Sequence, residues 1–221
     1  MPQTVKIMLK RMRIVYRSGF TLVECLAVIA VIGLLALLII PLTQRVRLSA
    51  QKTEGTSNLR QVGLAIGLYA NANGGYLPGP LRSGQKPWYY RNADEPQLAY
   101  LTASYLGLPD PISYPARNPY FLTDRWESVQ GNMARQAPSY LINDLGGPAQ
   151  SPWGYPTYIY RQSKPVHVIE DPSSTWAIKD LDKENANNAA GWYSTLPDGP
   201  IYGDGRNVLY FDWHVEFVPV E

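Results

Sequence analysis

The chain is poor in the residues from which most catalytic and metal sites are built. It has one cysteine, Cys25, and two histidines, His167 and His214, in 221 residues. Cys25 lies inside an apolar run, so everything after it lacks a thiol and cannot form an internal disulfide. Cys25 itself reads as a small hydrophobe. No serine, Ser151 included, lies in a Gly-x-Ser-x-Gly elbow, which removes the α/β-hydrolase signature. Residues 1–19 contain no Asp or Glu. Lys6, Lys10, Arg11, Arg13 and Arg17 give that stretch five positive charges, and taking them from the net +2 leaves −3 for the remainder. The basic balance belongs to one short segment and is no argument for nucleic-acid binding.

What the chain does have is a long apolar run. From Phe20 to Leu42 the residues are almost all Leu, Val, Ile and Ala, with one charge, Glu24. The length suits a membrane span of about 20 residues. Positive charge before it places the N-terminus in the cytoplasm and the rest across the membrane. A secretory signal peptide has a shorter apolar core and ends at small residues; Ile39-Ile40-Pro41-Leu42 offers no such site. A plain signal anchor explains the length but not Glu24, since a carboxylate in a membrane helix is expensive without a partner.

The stretch Gly19-Phe20-Thr21-Leu22-Val23-Glu24 resembles the N-terminus of type IV prepilins and type II secretion pseudopilins. That resemblance implies cleavage between Gly19 and Phe20 by a membrane peptidase, which then methylates the Phe20 amine. Glu24 becomes the fifth mature residue, and its expected role is to pair with the Phe20 amine of a neighbouring subunit and set the axial register. Pro41 becomes the twenty-second mature residue, where the family often has proline. The implied partners are the prepilin peptidase/methylase, other pseudopilin subunits in a helical filament and an inner-membrane assembly platform. Residues 1–19 would be the leader if Met1 starts the chain; a start at Met12 would give a shorter one.

Past Leu42 the pattern turns amphipathic. Leu59, Val62, Ile66 and Tyr69 recur at spacings of three and four, which marks one helix face. The pattern stops at Asn73-Gly74-Gly75. One helix is therefore expected from Phe20 to about Ala70, on the order of 75 Å long, kinked at Pro41, where the backbone donor is missing. Gly55, Gly63 and Gly67 lower helix propensity and are expected where the helix packs closely on the domain. The organisation is a leader at 1–19, a transmembrane half-helix at 20–42, an amphipathic half at 43–72 and an exported globular domain at 73–221.

In that domain Pro78–Pro96 reads as loop, Gln97–Leu106 as a short helix, and Pro109–Pro156 resists assignment. Strand signals fall at Thr157–Tyr160, Thr175–Ile178, Asn207–Phe211 and His214–Val218, the last two forming a hairpin about Asp212-Trp213. His214 alternates along that hairpin and reads as a sheet residue. His167, within Pro165-Val166-His167-Val168-Ile169, reads as a strand or strand edge. The C-terminal end, with Asp212-Trp213-His214-Val215, also resembles the closing segment of planctomycete-type pseudopilin-like proteins, a His, nine residues, then Asp-Gly-His-Val. Tyr202 stands in place of that histidine and Trp213 in place of the glycine, where a tight turn favours positive φ. The fold class expected is α+β and pilin-like, a long N-terminal helix packed on a small antiparallel sheet with irregular loops.

Calcium is the only cofactor under consideration. Asp180-Leu181-Asp182-Lys183-Glu184 resembles the start of a calcium loop, but Asn185 and Gly191 stand where an EF-hand needs Gly and Glu. Asp198, Asp204 and Asp212 are candidate ligands, since some major pseudopilins hold calcium in a C-terminal loop. The competing reading is ordinary turn chemistry at Asp198-Gly199 and Asp204-Gly205. The functional expectation is a non-catalytic structural subunit of a type II secretion pseudopilus or type IV pilus-like filament in the bacterial inner membrane, with its globular domain periplasmic or extracellular. The alternative is a membrane-anchored exported binding protein or enzyme that does not polymerise.

Overall fold

Helix α1 runs from Leu22 to Ala72. The computed structural model describes residues 21–90, 96–110, 115–131, 137–156 and 162–220, without the side chains of 38–42. Residues 1–19, Phe20 and the strand expected at Thr157–Tyr160 lie outside the described residues. The chain divides into two compact units, 1–45 and 46–221. In the first, the helix is continuous through Pro41. Large apolar side chains there are exposed all round the helix, from Leu22 and Val23 to Leu35 and Leu37.

In the second unit α1 is amphipathic, as the spacing predicts. Leu59, Val62, Ala65, Ile66 and Ala70 are buried, and Tyr69 is half-buried with its ring edge-on to Tyr105 at 5.9 Å. Each buried Leu or Ile stabilises the packing by roughly 1.5–3 kcal/mol. The helix ends where the Gly75 N–H donates to the Ala70 carbonyl at 2.8 Å. Gly74 and Gly75 adopt φ of 66° and 87° there, a left-handed exit that glycine makes at no steric cost.

The rest of the second unit is built, in chain order, from β1 (Gly84–Gln85), β2 (Trp88–Tyr89), α2 (Leu98–Leu101), β3 (Ala116–Arg117), α3 (Asp124–Gln130), β4 (Tyr140–Ile142), β5 (Trp176–Asp180), β6 (Gly205–Tyr210) and β7 (Val215–Pro219). Five strands form one antiparallel sheet in the order β1-β4-β5-β6-β7. β2 and β3 make a separate antiparallel pair. The α+β, pilin-like fold class is borne out: a long N-terminal helix, short helices and an antiparallel sheet joined by irregular loops.

α1 packs on the sheet face that carries Asn207 and Leu209, and its glycines are the reason it can. A Cβ on Gly63 would stand 2.8 Å from Leu209 Cδ1, and one on Gly67 would stand 3.2 Å from Trp213 Nε1. The main core gathers Leu59, Val62 and Ile66 with Ile178, Leu209 and Phe211. Trp153 lies beneath, 5.5 Å from the Phe211 ring, its indole N–H on the Asn143 carbonyl at 3.0 Å. A second cluster joins Leu122, Trp126, Leu181, Ile201 and Tyr202.

The closing hairpin forms, but β6 ends at Tyr210 and β7 begins at Val215, so residues 211–214 make the turn and His214, expected on a strand, lies in that turn instead. The Trp213 N–H donates to the Tyr210 carbonyl and the Tyr210 N–H to the His214 carbonyl, both at 3.0 Å. Trp213 takes φ of 71°. A bulky residue in the left-handed region is a backbone outlier, of order 1–3 kcal/mol, and packing against Phe211 and the glycine face of α1 offsets it.

Three further expectations need correcting. The loop at Pro78–Pro96 contains β1 and β2, each two residues long and too short to leave an alternation in the sequence. Tyr89 is buried there with its hydroxyl on the Pro109 carbonyl at 3.0 Å. The helix at Gln97–Leu106 breaks into α2 and a 3₁₀ turn at Ser104–Leu106, closed by Gly107 at φ 70°. His167 is not on a strand: it sits exposed in a 3₁₀ turn, Val166–Val168, initiated by Pro165.

Candidate functional site at the helix N-terminus and the C-terminal carboxylates

The start of α1 is closed by its own side chains. The Thr21 N–H donates to Glu24 Oε2 at 2.7 Å, the Thr21 hydroxyl donates to the same oxygen at 2.9 Å, and the Glu24 N–H reaches back to Thr21 Oγ1 at 3.3 Å. This is a reciprocal capping box that satisfies donors left open by the first helical turn. The spacing Thr21-Leu22-Val23-Glu24 signals it in the sequence, a second role for Glu24 that the sequence reading did not include. Glu24 is the only ionisable carboxylate between Thr21 and Leu37, among apolar side chains more than half exposed. A helix apolar on every side requires lipid or other helices around it. Among the described residues no helix is long and apolar enough to cross a membrane; the expected span of 20–42 extends past the described side chains at both ends. Cys25 is a free, exposed thiol. Gly19 and Phe20, the processing pair, lie outside the described residues.

The three candidate calcium carboxylates are not brought together. Asp198 pairs with Lys183 at 2.6 Å, Asp204 with Lys52 at 2.7 Å and Asp212 with His214. Hydrogen bonds from Lys183 and Lys52 hold Asp198 and Asp204 below the usual carboxylate range. Among the described residues no three His, Cys, Asp or Glu side chains form a group that could hold a metal ion. His214 is exposed, stacked on Tyr210 at 4.4 Å between ring centres. Tyr202 fills the position of the missing histidine as a core residue, buried and edge-on to Phe217 at 6.3 Å.

The run that resembles a calcium loop is closed by an arginine. Arg206 Nε and a terminal nitrogen contact the two Asp182 oxygens at 2.6 and 2.8 Å, and the terminal nitrogen reaches Glu184 at 2.7 Å. Burial works against the guanidinium charge, but hydrogen bonds and charge from Asp182, then Glu184, raise its pKa overall. No sequence spacing links residue 206 to 182; only the antiparallel pairing of β5 with β6 does.

Residues 15–40 match the model of the prokaryotic N-terminal methylation motif, which is consistent with a type IV prepilin or pseudopilin-like protein. The motif supports a type IV pilin- or pseudopilin-like exported protein, and the family it points to is structural rather than catalytic. No curated protein and no solved structure matches the chain.

Proposed function

We propose that the chain is a non-catalytic structural subunit of a type II secretion pseudopilus or type IV pilus-like filament. It is made as an inner-membrane precursor, cut between Gly19 and Phe20 by a prepilin peptidase, methylated on Phe20 and drawn by an assembly platform into a helical filament. The observation that carries this reading is the lone carboxylate Glu24 at the capped start of a helix whose surrounding face is apolar throughout, inside the matched motif. Thr21 gives Glu24 a place in the single subunit. In the filament its charge turns to the Phe20 amine of a neighbour, because two opposite charges in hydrocarbon cost least when paired.

N-terminal sequencing after coexpression with a prepilin peptidase tests the processing. The mature chain should begin at Phe20, and Gly19→Val should leave the precursor uncut. A mature chain beginning elsewhere would point to a membrane-anchored binding protein or enzyme instead.

Glu24→Leu separates processing from assembly. Cleavage should persist, because the peptidase reads the glycine and the leader. Assembly should fail, seen as loss of the ladder formed by an engineered cysteine pair on adjacent helices in a Cys25→Ala background. A ladder at wild-type intensity would show that the carboxylate does not set the register.

A further inference from the structure

Beneath the second half of α1 lies a buried carboxylate that the filament reading does not use. Asp180, at the end of β5, is 6 % exposed. It faces a cavity of about 10 Å³ walled by Thr123, Trp126, Ser139, Tyr140 and Ile201, among others, room for about one water. Trp126 Nε1 and Ser139 Oγ are buried on that wall without a hydrogen-bond partner. The open donors suit a bound water, and burial with no ion pair to Asp180 among the described residues suits the neutral acid beside it.

The carboxyl is tied to α1 through one residue. The Asn207 N–H donates to Asp180 Oδ2 at 2.7 Å, and the Thr56 hydroxyl on α1 donates to Asn207 Oδ1 at 2.7 Å. The titratable and charged groups around Asp180 are Tyr140 on β4, Tyr202 in the loop before β6, and Asp182 and Arg206 at the sheet edge; Glu54 on α1, itself beside Asp124, acts on the two tyrosines. Burial holds both tyrosine hydroxyls in the protonated form. Burial, then Asp124, also raises Glu54.

We propose that the Asp180 cavity is a proton-binding site that governs how tightly residues 46–72 of α1 seat on the sheet. With its proton in place the carboxyl is neutral beneath the helix. When the O–H bond breaks and the proton passes to solvent, a buried anion is left beneath the helix, and the seat loosens because opening it returns that charge to water. Burial, the largest influence, pushes Asp180 up to about 7, against the hydrogen bonds from Asn207. The folded state therefore holds the proton more tightly than an opened state with an ordinary carboxyl. The stabilisation is full below the ordinary carboxylate range and is lost as pH rises through about 7.

Hydrogen exchange on the mature full-length protein in detergent micelles, with rates normalised to the intrinsic rate at each pH, tests this. Protection across 46–72 should fall by about tenfold or more from pH 5 to pH 8. Asp180→Asn keeps the acceptor for the Asn207 N–H and should flatten the profile to within about twofold, while Glu54→Gln should retain most of the fall. An equal fall in Asp180→Asn overturns the proposal. Should that variant not fold, the ¹³C carboxyl titration of Asp180 in the wild type decides. A midpoint near neutral supports the site, and a midpoint below pH 5 overturns it.

Discussion

Arg206→Met should destabilise the folded domain by about 3 kcal/mol, or roughly 10 °C in Tm for a domain of this size. Asp182 is 1 % exposed and the Arg206 side chain 13 % exposed. The guanidinium meets both carboxylate oxygens in a fork, which is the strong form of this contact. Without it, Asp182 keeps the Glu184 N–H at 3.0 Å and loses its counter-charge while still buried. Breaking a buried pair by removing one partner typically costs 3–5 kcal/mol. The low end applies here, because Glu184 is half exposed and solvent reaches the outer edge of the guanidinium.

The pair as a whole is worth far less than either half. Asp182→Leu in the Arg206→Met background removes the stranded charge and should return most of the lost stability, to within about 1 kcal/mol of wild type. Urea denaturation followed by near-ultraviolet circular dichroism gives both numbers. A single-variant loss below about 1 kcal/mol would mean the pair behaves like an exposed surface bridge.

The same residues show where sequence reading stops. Asp180, Asp182 and Glu184 were legible as alternate acidic positions, and a metal is the natural reading of such a run. The cation that Asp182 and Glu184 face comes from a strand more than twenty residues later, and only the β5–β6 register brings it there. The amphipathic helix was legible because its period is local: Leu59, Val62 and Ile66 declare the buried face. The closing hairpin was legible because each strand is five or six residues long. β1 through β4 have two or three residues each, so no alternation can build up, and tertiary pairing alone decides them. At the helix start the spacing of Thr21 and Glu24 carried the capping box. The pilin-like motif points instead to the proposed pairing with a neighbour's Phe20 amine, which obscures the local cap with Thr21.

Gly55→Ala should destabilise by about 1 kcal/mol although it improves the helix. Alanine is favoured over glycine in a helix interior by roughly 1 kcal/mol, and an open position would show that gain. At Gly55 the new Cβ meets the Tyr202 hydroxyl and stands 2.8 Å from Asn207 Nδ2. Neither neighbour can give way freely. Asn207 is fully buried and tied to Asp180 and Thr56, and Tyr202 is 1 % exposed against Phe217. Overpacking of this kind costs about 1–3 kcal/mol, enough to cancel the propensity gain and exceed it. Gly55→Val adds branching and bulk and should cost about 3 kcal/mol. The Tyr202 hydroxyl is buried without an aligned hydrogen bond, so Tyr202→Phe alone should be close to neutral. Combined with Gly55→Ala it removes the colliding atom and should leave a protein at least as stable as wild type, with a coupling of about 1–2 kcal/mol between the two positions. Equal losses for Gly55→Ala with and without Tyr202→Phe would show that the hydroxyl does not set the approach of α1, and that the glycine is required by the Asn207 amide instead.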